Sequence, residues 1–406
     1  MDFFNTCTID EANKRIMDKF SNYEFDIETV DLLDAIGRIL AVDIVSNINV
    51  PEFNRSTVDG YSIFVEDSHG STDSIPSILK LIGEVRMGTE ANKDISKGEA
   101  IYTPTGGMVP PSATGIIMIE NTELMDKDTL LIYKPISNGE NITFKGDDIK
   151  AGDIVLRKGR RINSEAIGVL ASLGIRKVKV FRNPRFYIIS TGDEIVGLDE
   201  ELIMGKIRDI NTYALYSMIQ ELGCEIVGKS LVKDDYDLLM KEVQKASGIA
   251  DIVLISGGSS VGTRDFTHKV INSLGKVFIH GLAIKPGKPT IVGMGNKKLI
   301  VGLPGHPVSS IVVFKAIVER YLNEKMGINS IKPQVRALME FNFPSSPGKE
   351  TYHMVTLRQE GDIFYASPTF GKSGMITLLS KSQGYIAIDA HEEGVNKGEE
   401  RTVYLL

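Results

Sequence analysis

The residues of this chain most able to do chemistry are a glycine-rich turn, a pair of lysines and three separated acids. Ser256-Gly257-Gly258-Ser259 runs on through Gly262 to Asp265. Glycines let the backbone approach a phosphate, and N–H groups exposed where a helix begins favour an anion. Lys285 and Lys288 flank a Pro-Gly turn that proline stiffens, so two ammonium groups can be held toward an oxyanion. Glu194, Asp235 and Asp265 each follow a different expected strand. Carboxylates beside phosphate oxygens suit Mg²⁺, which would neutralise charge developing at a cleaved phosphoanhydride. The six histidines show no metal spacing, which argues against zinc.

Each of these has an ordinary reading. A Gly-Gly pair is about as often a bare turn, a lone lysine pair is more often a solvated surface, and a loop aspartate is usually a cap. Several such loops on one edge of a sheet favour the ligand. The glycine spacing is not that of a dinucleotide fingerprint. The nearest approach to a P-loop ends at Gly371-Lys372-Ser373 but begins with Ala366, in a β-rich tail, so a P-loop ATPase is excluded.

The elements that must position these loops follow from hydrophobic periodicity. From Pro184 to about Tyr321, apolar strand-like runs alternate with helical runs, predicting a doubly wound parallel sheet covered on both faces. Such sheets bind ligands beyond the carboxyl ends of their strands, where the motif-bearing loops fall. Ahead of it, Thr8-x-x-Glu11 reads as the capping box of a first helix. Leu32, Leu33, Ile36 and Leu40 predict a second helix over Val30–Ile39. Short strands separated by Gly, Pro and Ser form a β-rich insertion whose two crossings must pack together. After Pro333 the pattern turns to strands again, with a hairpin turn at Glu360-Gly361-Asp362.

These readings give four parts: an N-terminal linking domain (1–48 plus 143–183), an inserted β-rich domain (49–142), a doubly wound α/β domain (184–328) and a C-terminal β domain (329–406). The chain's 406 residues are too many for one core. A net charge of −7 without a dense basic stripe argues against nucleic acid. Two distant cysteines, no basic-flanked apolar leader and no membrane-length apolar run lead to the expectation of a cytoplasmic protein without disulfides.

Taken in order, Pro51 to Tyr61, Thr105-Gly106-Gly107 with Pro110, Gly146-Asp147-Asp148, Ser190 to Glu194, Asp234-Asp235, Ser256 to Asp265, Lys285 to Pro289 and Leu303 to Pro307 resemble the molybdopterin molybdenumtransferases, the MoeA-like family, nearly end to end. The resemblance implies insertion of molybdate into adenylylated molybdopterin, with Mg²⁺-dependent release of AMP. It implies an elongated homodimer of four-domain subunits, transient contact with a molybdopterin adenylyltransferase, and a cleft between the α/β domain of one subunit and the inserted domain of the other. By the same resemblance Glu194, Asp235 and Asp265 are the acids of the nucleotide and metal region. Ser256, Gly257, Gly258 and Ser259 hold phosphate; Lys285, Lys288 and Ser373 face molybdate; Pro304 and Pro307 shape the pocket. Asp59, Thr105 and Asp148 come from the N-terminal half, across the dimer. This chain departs from the family at His306, commonly Asn, at Thr143-Phe144-Lys145, where the family often has Arg ahead of the Gly146-Asp147-Asp148 motif, and at Met354, usually Arg. The competing readings are a molybdopterin adenylyltransferase, which needs only the α/β domain, and a non-catalytic molybdopterin-binding scaffold.

Overall fold

The computed structural model describes residues 6–257, 266–329 and 332–406. Its centre is a six-stranded sheet in the order Glu225–Val232, Arg185–Thr191, Ile252–Ser256, Lys298–Leu303, Ile291–Gly295, Gly275–His280. The first four strands are parallel, as the alternation with helices predicts. The last two pairings are antiparallel, so Ile291–Gly295 runs against its neighbours and Gly275–His280 runs with the first four. The reason lies in a turn the periodicity does not report: Asn296 and Lys297 both have positive φ (50° and 61°) and join adjacent strands directly, with no crossover helix.

Strand pleating sends alternate side chains to opposite faces. Phe186, Ile188, Ile252 and Leu254 join one apolar cluster, and Tyr187, Ile189, Val253 and Ile255 the other. Helices Tyr236–Ile249 and Phe266–Leu274 cover the second face. Helix Asn211–Glu221 and the long helical run from Pro307 to Met326 cover the first.

The N-terminal helix Ile9–Lys19 also belongs to that first face. Ile9, Ala12 and Ile16 pack into its core, Asn13 donates to the carbonyl of Ala316 at 3.1 Å, and Asp10 pairs with Arg320 at 2.7 Å. The capping box is formed: Thr8 Oγ1 accepts from Glu11 N at 3.2 Å, and Glu11 accepts from Thr8 N at 3.1 Å.

A separate apolar cluster unites Leu40, Leu156, Ile162, Ala166, Leu170, Val178 and Val180. Here the expected helix over Val30–Ile39 is not found. Ile27–Asp31 is a strand paired with Lys177–Phe181, followed by one short 3₁₀ turn, Leu32–Ala35. Gly37 at φ +75° turns the chain, leaving Leu33 and Ile36 exposed rather than on a buried helical stripe.

The insertion is a six-stranded sheet with its own core around Ile63, Ile117 and Leu130. Its two crossings pair with each other, Arg55–Ser56 against Ile142–Thr143. At the C-terminus, Gln334–Met339, Glu350–Glu360, Ile363–Pro368, Gly384–Ile388 and Glu400–Leu405 close into a five-stranded barrel. The expected hairpin places Glu360 opposite Ile363, with Gly361 at φ +57°. Among the described residues no helix is long and apolar enough to cross a membrane.

Candidate functional site

A cavity of about 990 Å³ opens where the carboxyl ends of the central strands meet the barrel. It brings together Glu194, Ser256, Gly257, Lys285, Lys288, Pro304, His306 and Ser373, residues that come from five separate stretches of chain. The join is made by backbone pairing: the short strand Ile284–Lys285 of the central domain runs parallel to Glu350 and Thr351 of the barrel. The lysine turn is thereby fixed against the barrel wall.

Two glycines are dictated by packing. At Gly257 φ is +105°, and a Cβ would lie 2.1 Å from the carbonyl oxygen of Thr191. At Gly287 φ is +125°, and a Cβ would lie 2.6 Å from Ile284 Cδ1. Both turns therefore bring backbone closer than any side chain permits.

Lys285 Nζ donates to Ser346 Oγ at 2.8 Å. Thr290 Oγ1 closes the same turn by donating to the carbonyl of Gly287 at 2.7 Å. Ser373 Oγ lies 2.8 Å from His306 Nδ1, and the Val308 N–H donates to the Ser373 carbonyl at 3.2 Å, so the barrel loop is pinned to the Pro304–Pro307 turn. Pro307 itself is buried as the first residue of helix Pro307–Val313.

Beneath Ser256 lies Asn211. Its Nδ2 donates to Ser256 Oγ at 2.7 Å and to the carbonyl of Gly305 at 2.8 Å. The start of that helix is held by Asp209, whose Oδ1 accepts from Thr212 N at 3.1 Å and from Ser190 Oγ at 3.0 Å. Sequence reasoning passed over Asn211 because a polar residue opening a helix looks like an ordinary cap.

Met354 and His353 sit on opposite faces of their strand. Met354 packs among Val308, Val312, Leu378 and Tyr385. His353 packs edge-on to Phe343 at 4.9 Å between ring centroids. Burial, with Lys285 adding positive potential, holds the His353 imidazole below its usual pKa. Arg358 is engaged with Glu340 and Glu360.

Other expected site residues lie elsewhere. Asp235 caps helix Tyr236–Ile249, its carboxylate accepting from Leu238 N at 2.9 Å, and does not line the cavity. Its neighbour Asp234 accepts from Thr191 Oγ1 at 2.8 Å. In the insertion, Asp59 Oδ1 accepts from Thr105 N at 2.9 Å, so those two are together but outside the cavity. Asp148 is exposed on the linking domain, again apart from it. Gly258, Ser259 and Asp265 fall outside the described residues. Among the described residues no group of three or more His, Cys, Asp or Glu side chains could hold a metal.

A doubly wound domain with a strand-end cavity, joined to a β barrel and carrying an inserted sheet, defines a multi-domain ligand-handling class. Family models match the whole succession: "MoeA N-terminal region (domain I and II)" over residues 7–174, "Probable molybdopterin binding domain" over 187–324 and "MoeA C-terminal region (domain IV)" over 336–406. A relative from Methanocaldococcus jannaschii is 36% identical, over 99% of this chain and 98% of its own. A molybdopterin molybdenumtransferase from Haemophilus influenzae is 31% identical over 98% of both chains. Two crystal structures of molybdopterin biosynthesis MoeA proteins from Pyrococcus horikoshii superpose with TM-scores of 0.83 and 0.86, at 37% and 31% identity, each covering 99% of this chain and 99% and 100% of their own. The chain belongs to the MoeA family.

Proposed function

We propose that the protein is a molybdopterin molybdenumtransferase, acting in molybdenum cofactor biosynthesis by joining molybdate to adenylylated molybdopterin with release of AMP. The observation that carries this reading is the convergence of Lys285, Lys288, Ser373 and the Ser256-Gly257 turn on one cavity. Cations and a hydroxyl suit a tetrahedral dianion, and the neighbouring strand-end turn suits a phosphate. An adenylyltransferase would not call for the barrel, which supplies Ser373 and one wall of the cavity.

Mg²⁺ belongs to the same proposal. It commonly takes one or two carboxylates and completes its shell with substrate phosphate and water. Glu194 is the carboxylate in the cavity lining that fits such a role. Asp235 and Asp265 are assigned to the metal by family resemblance, with Asp235 also tied to its helix cap. Bound Mg²⁺ would neutralise charge on the phosphoanhydride as AMP leaves. Lys285 and Lys288 would hold molybdate, and Ser256 the phosphate. The working unit is proposed to be a cytoplasmic homodimer in which Asp59, Thr105 and Asp148 of the second subunit complete the cleft, fed by transient contact with an adenylyltransferase.

The test is AMP release from adenylylated molybdopterin, with and without molybdate and Mg²⁺. Release that requires both is expected. Pyrophosphate release from ATP and molybdopterin would establish the adenylyltransferase instead, and binding without turnover would leave a scaffold.

A further inference from the structure

The Asn211–Ser256–Gly305 arrangement has a defined hydrogen-bond polarity. A backbone carbonyl only accepts, so the Asn211 atom 2.8 Å from Gly305 O must be the amide nitrogen. The same nitrogen lies 2.7 Å from Ser256 Oγ. Ser256 Oγ is therefore an acceptor in that contact, and its own proton is left to donate elsewhere. Ser256 and Asn211 are both buried, at 1% and 8% exposure, and both line the cavity. Asn211 Oδ1 is buried too and has no hydrogen-bond partner among the described residues. A buried acceptor without a donor costs about 1–3 kcal/mol, so it marks a place where a ligand or a water supplies one.

We propose that Asn211 is a positioning residue for the phosphate subsite: its amide forces the Ser256 hydroxyl to donate into the cavity and ties that hydroxyl to the Gly305 turn. This rests on the reading that the cavity takes a phosphate-bearing nucleotide. A phosphate oxygen accepts and cannot donate. A serine whose proton is turned toward a neighbouring acceptor would offer it only lone pairs. With Asn211 present the hydroxyl is set the other way before the ligand arrives, which lowers the ordering cost of binding.

The test measures affinity for AMP and for adenosine by calorimetry in the full-length protein. The variants are Asn211→Leu, Ser256→Ala and the double substitution. Each single change is expected to weaken AMP by about tenfold, the scale of one lost hydrogen bond to a charged group, while adenosine stays within about twofold. The double variant is expected to be no weaker than the worse single, since both remove one contact. Multiplying losses, or an equal fall for adenosine, overturns the proposal. Asn211→Asp keeps the shape should the leucine fail to fold. Its carboxylate takes the Ser256 proton, so AMP must lose its advantage over adenosine in the Ser256 background only. A wild type that never prefers AMP to adenosine overturns the phosphate reading along with this one. A preference lost in Ser256→Ala but kept in both Asn211 variants overturns this one alone.

Discussion

Asp235 commits one carboxylate oxygen to the first turn of its own helix. Asn caps a helix about as well as Asp, whereas Ala removes about 0.5–2 kcal/mol. Asp235→Ala is therefore expected to lower unfolding free energy in urea by about 1 kcal/mol, with Asp235→Asn unchanged. AMP release by Asp235→Asn at limiting Mg²⁺ then reports directly on whether the charge also serves the metal. His353 offers a pH test. Its folded pKa lies below the unfolded value of 6.5, so the folded state favours the neutral ring. That stability is complete above 6.5 and is lost as pH falls from there through the folded value. Melting temperature should drop between pH 7.5 and pH 5, and His353→Gln should drop less. A parallel fall in both proteins would remove His353 from the acid limb. At this scale the sequence marked residues whose types are conspicuous, such as Lys285, Lys288 and Ser256. It did not mark Asn211, whose importance depends on partners 45 and 94 residues away.

At the scale of elements, the loop after strand Ile252–Ser256 depends on backbone that no side chain tolerates. Gly257→Ala combines left-handed strain with a Cβ driven into the Thr191 carbonyl. It should destabilise by about 2 kcal/mol or more, a size associated with backbone strain and overpacking, and abolish AMP binding. Gly305→Ala is the control, because the nearest atom to its Cβ is Gly257 Cα at 3.8 Å, an ordinary contact. Equal losses in the two variants would show that the close approach at Gly257 is not what matters. Elements with long periodicity or explicit turn chemistry were legible in advance: the capping box at Thr8, the parallel strands and the hairpin at Gly361. The Val30–Ile39 segment was not, because Leu32, Leu33 and Ile36 mimic helical spacing while strand pairing with Lys177–Phe181 sets the backbone. The reversed strand Ile291–Gly295 hid for a similar reason, its Asn296-Lys297 turn being short and lacking glycine.

At the scale of the whole molecule, the cavity and the N-terminal motifs are separate within one chain. Asp59 and Thr105 are bonded to each other on the insertion, and neither lines the cavity. Near the cavity mouth the segment that supplies Ile207 also exposes Leu198, Leu202, Ile203 and Met204, the last of them fully. Exposed apolar side chains gathered on one short segment have the composition of an interaction site. The proposed homodimer accounts for both features by bringing the partner's insertion to the cleft. Motifs gave no direct report of this, since which chain donates a residue is not written in its spacing. The arrangement has a sharp test. Asp59→Asn and Lys285→Ala should each be inactive as pure dimers. When the two are unfolded together and refolded in equal amounts, random pairing makes about half of the dimers mixed. In a mixed dimer one cleft combines intact Lys285 from the first chain with intact Asp59 from the second, and the other cleft carries both lesions. AMP release should therefore return to about a quarter of the wild-type value per chain. If Asp59 instead served the cavity of its own chain, every cleft would hold one lesion and mixing would restore nothing.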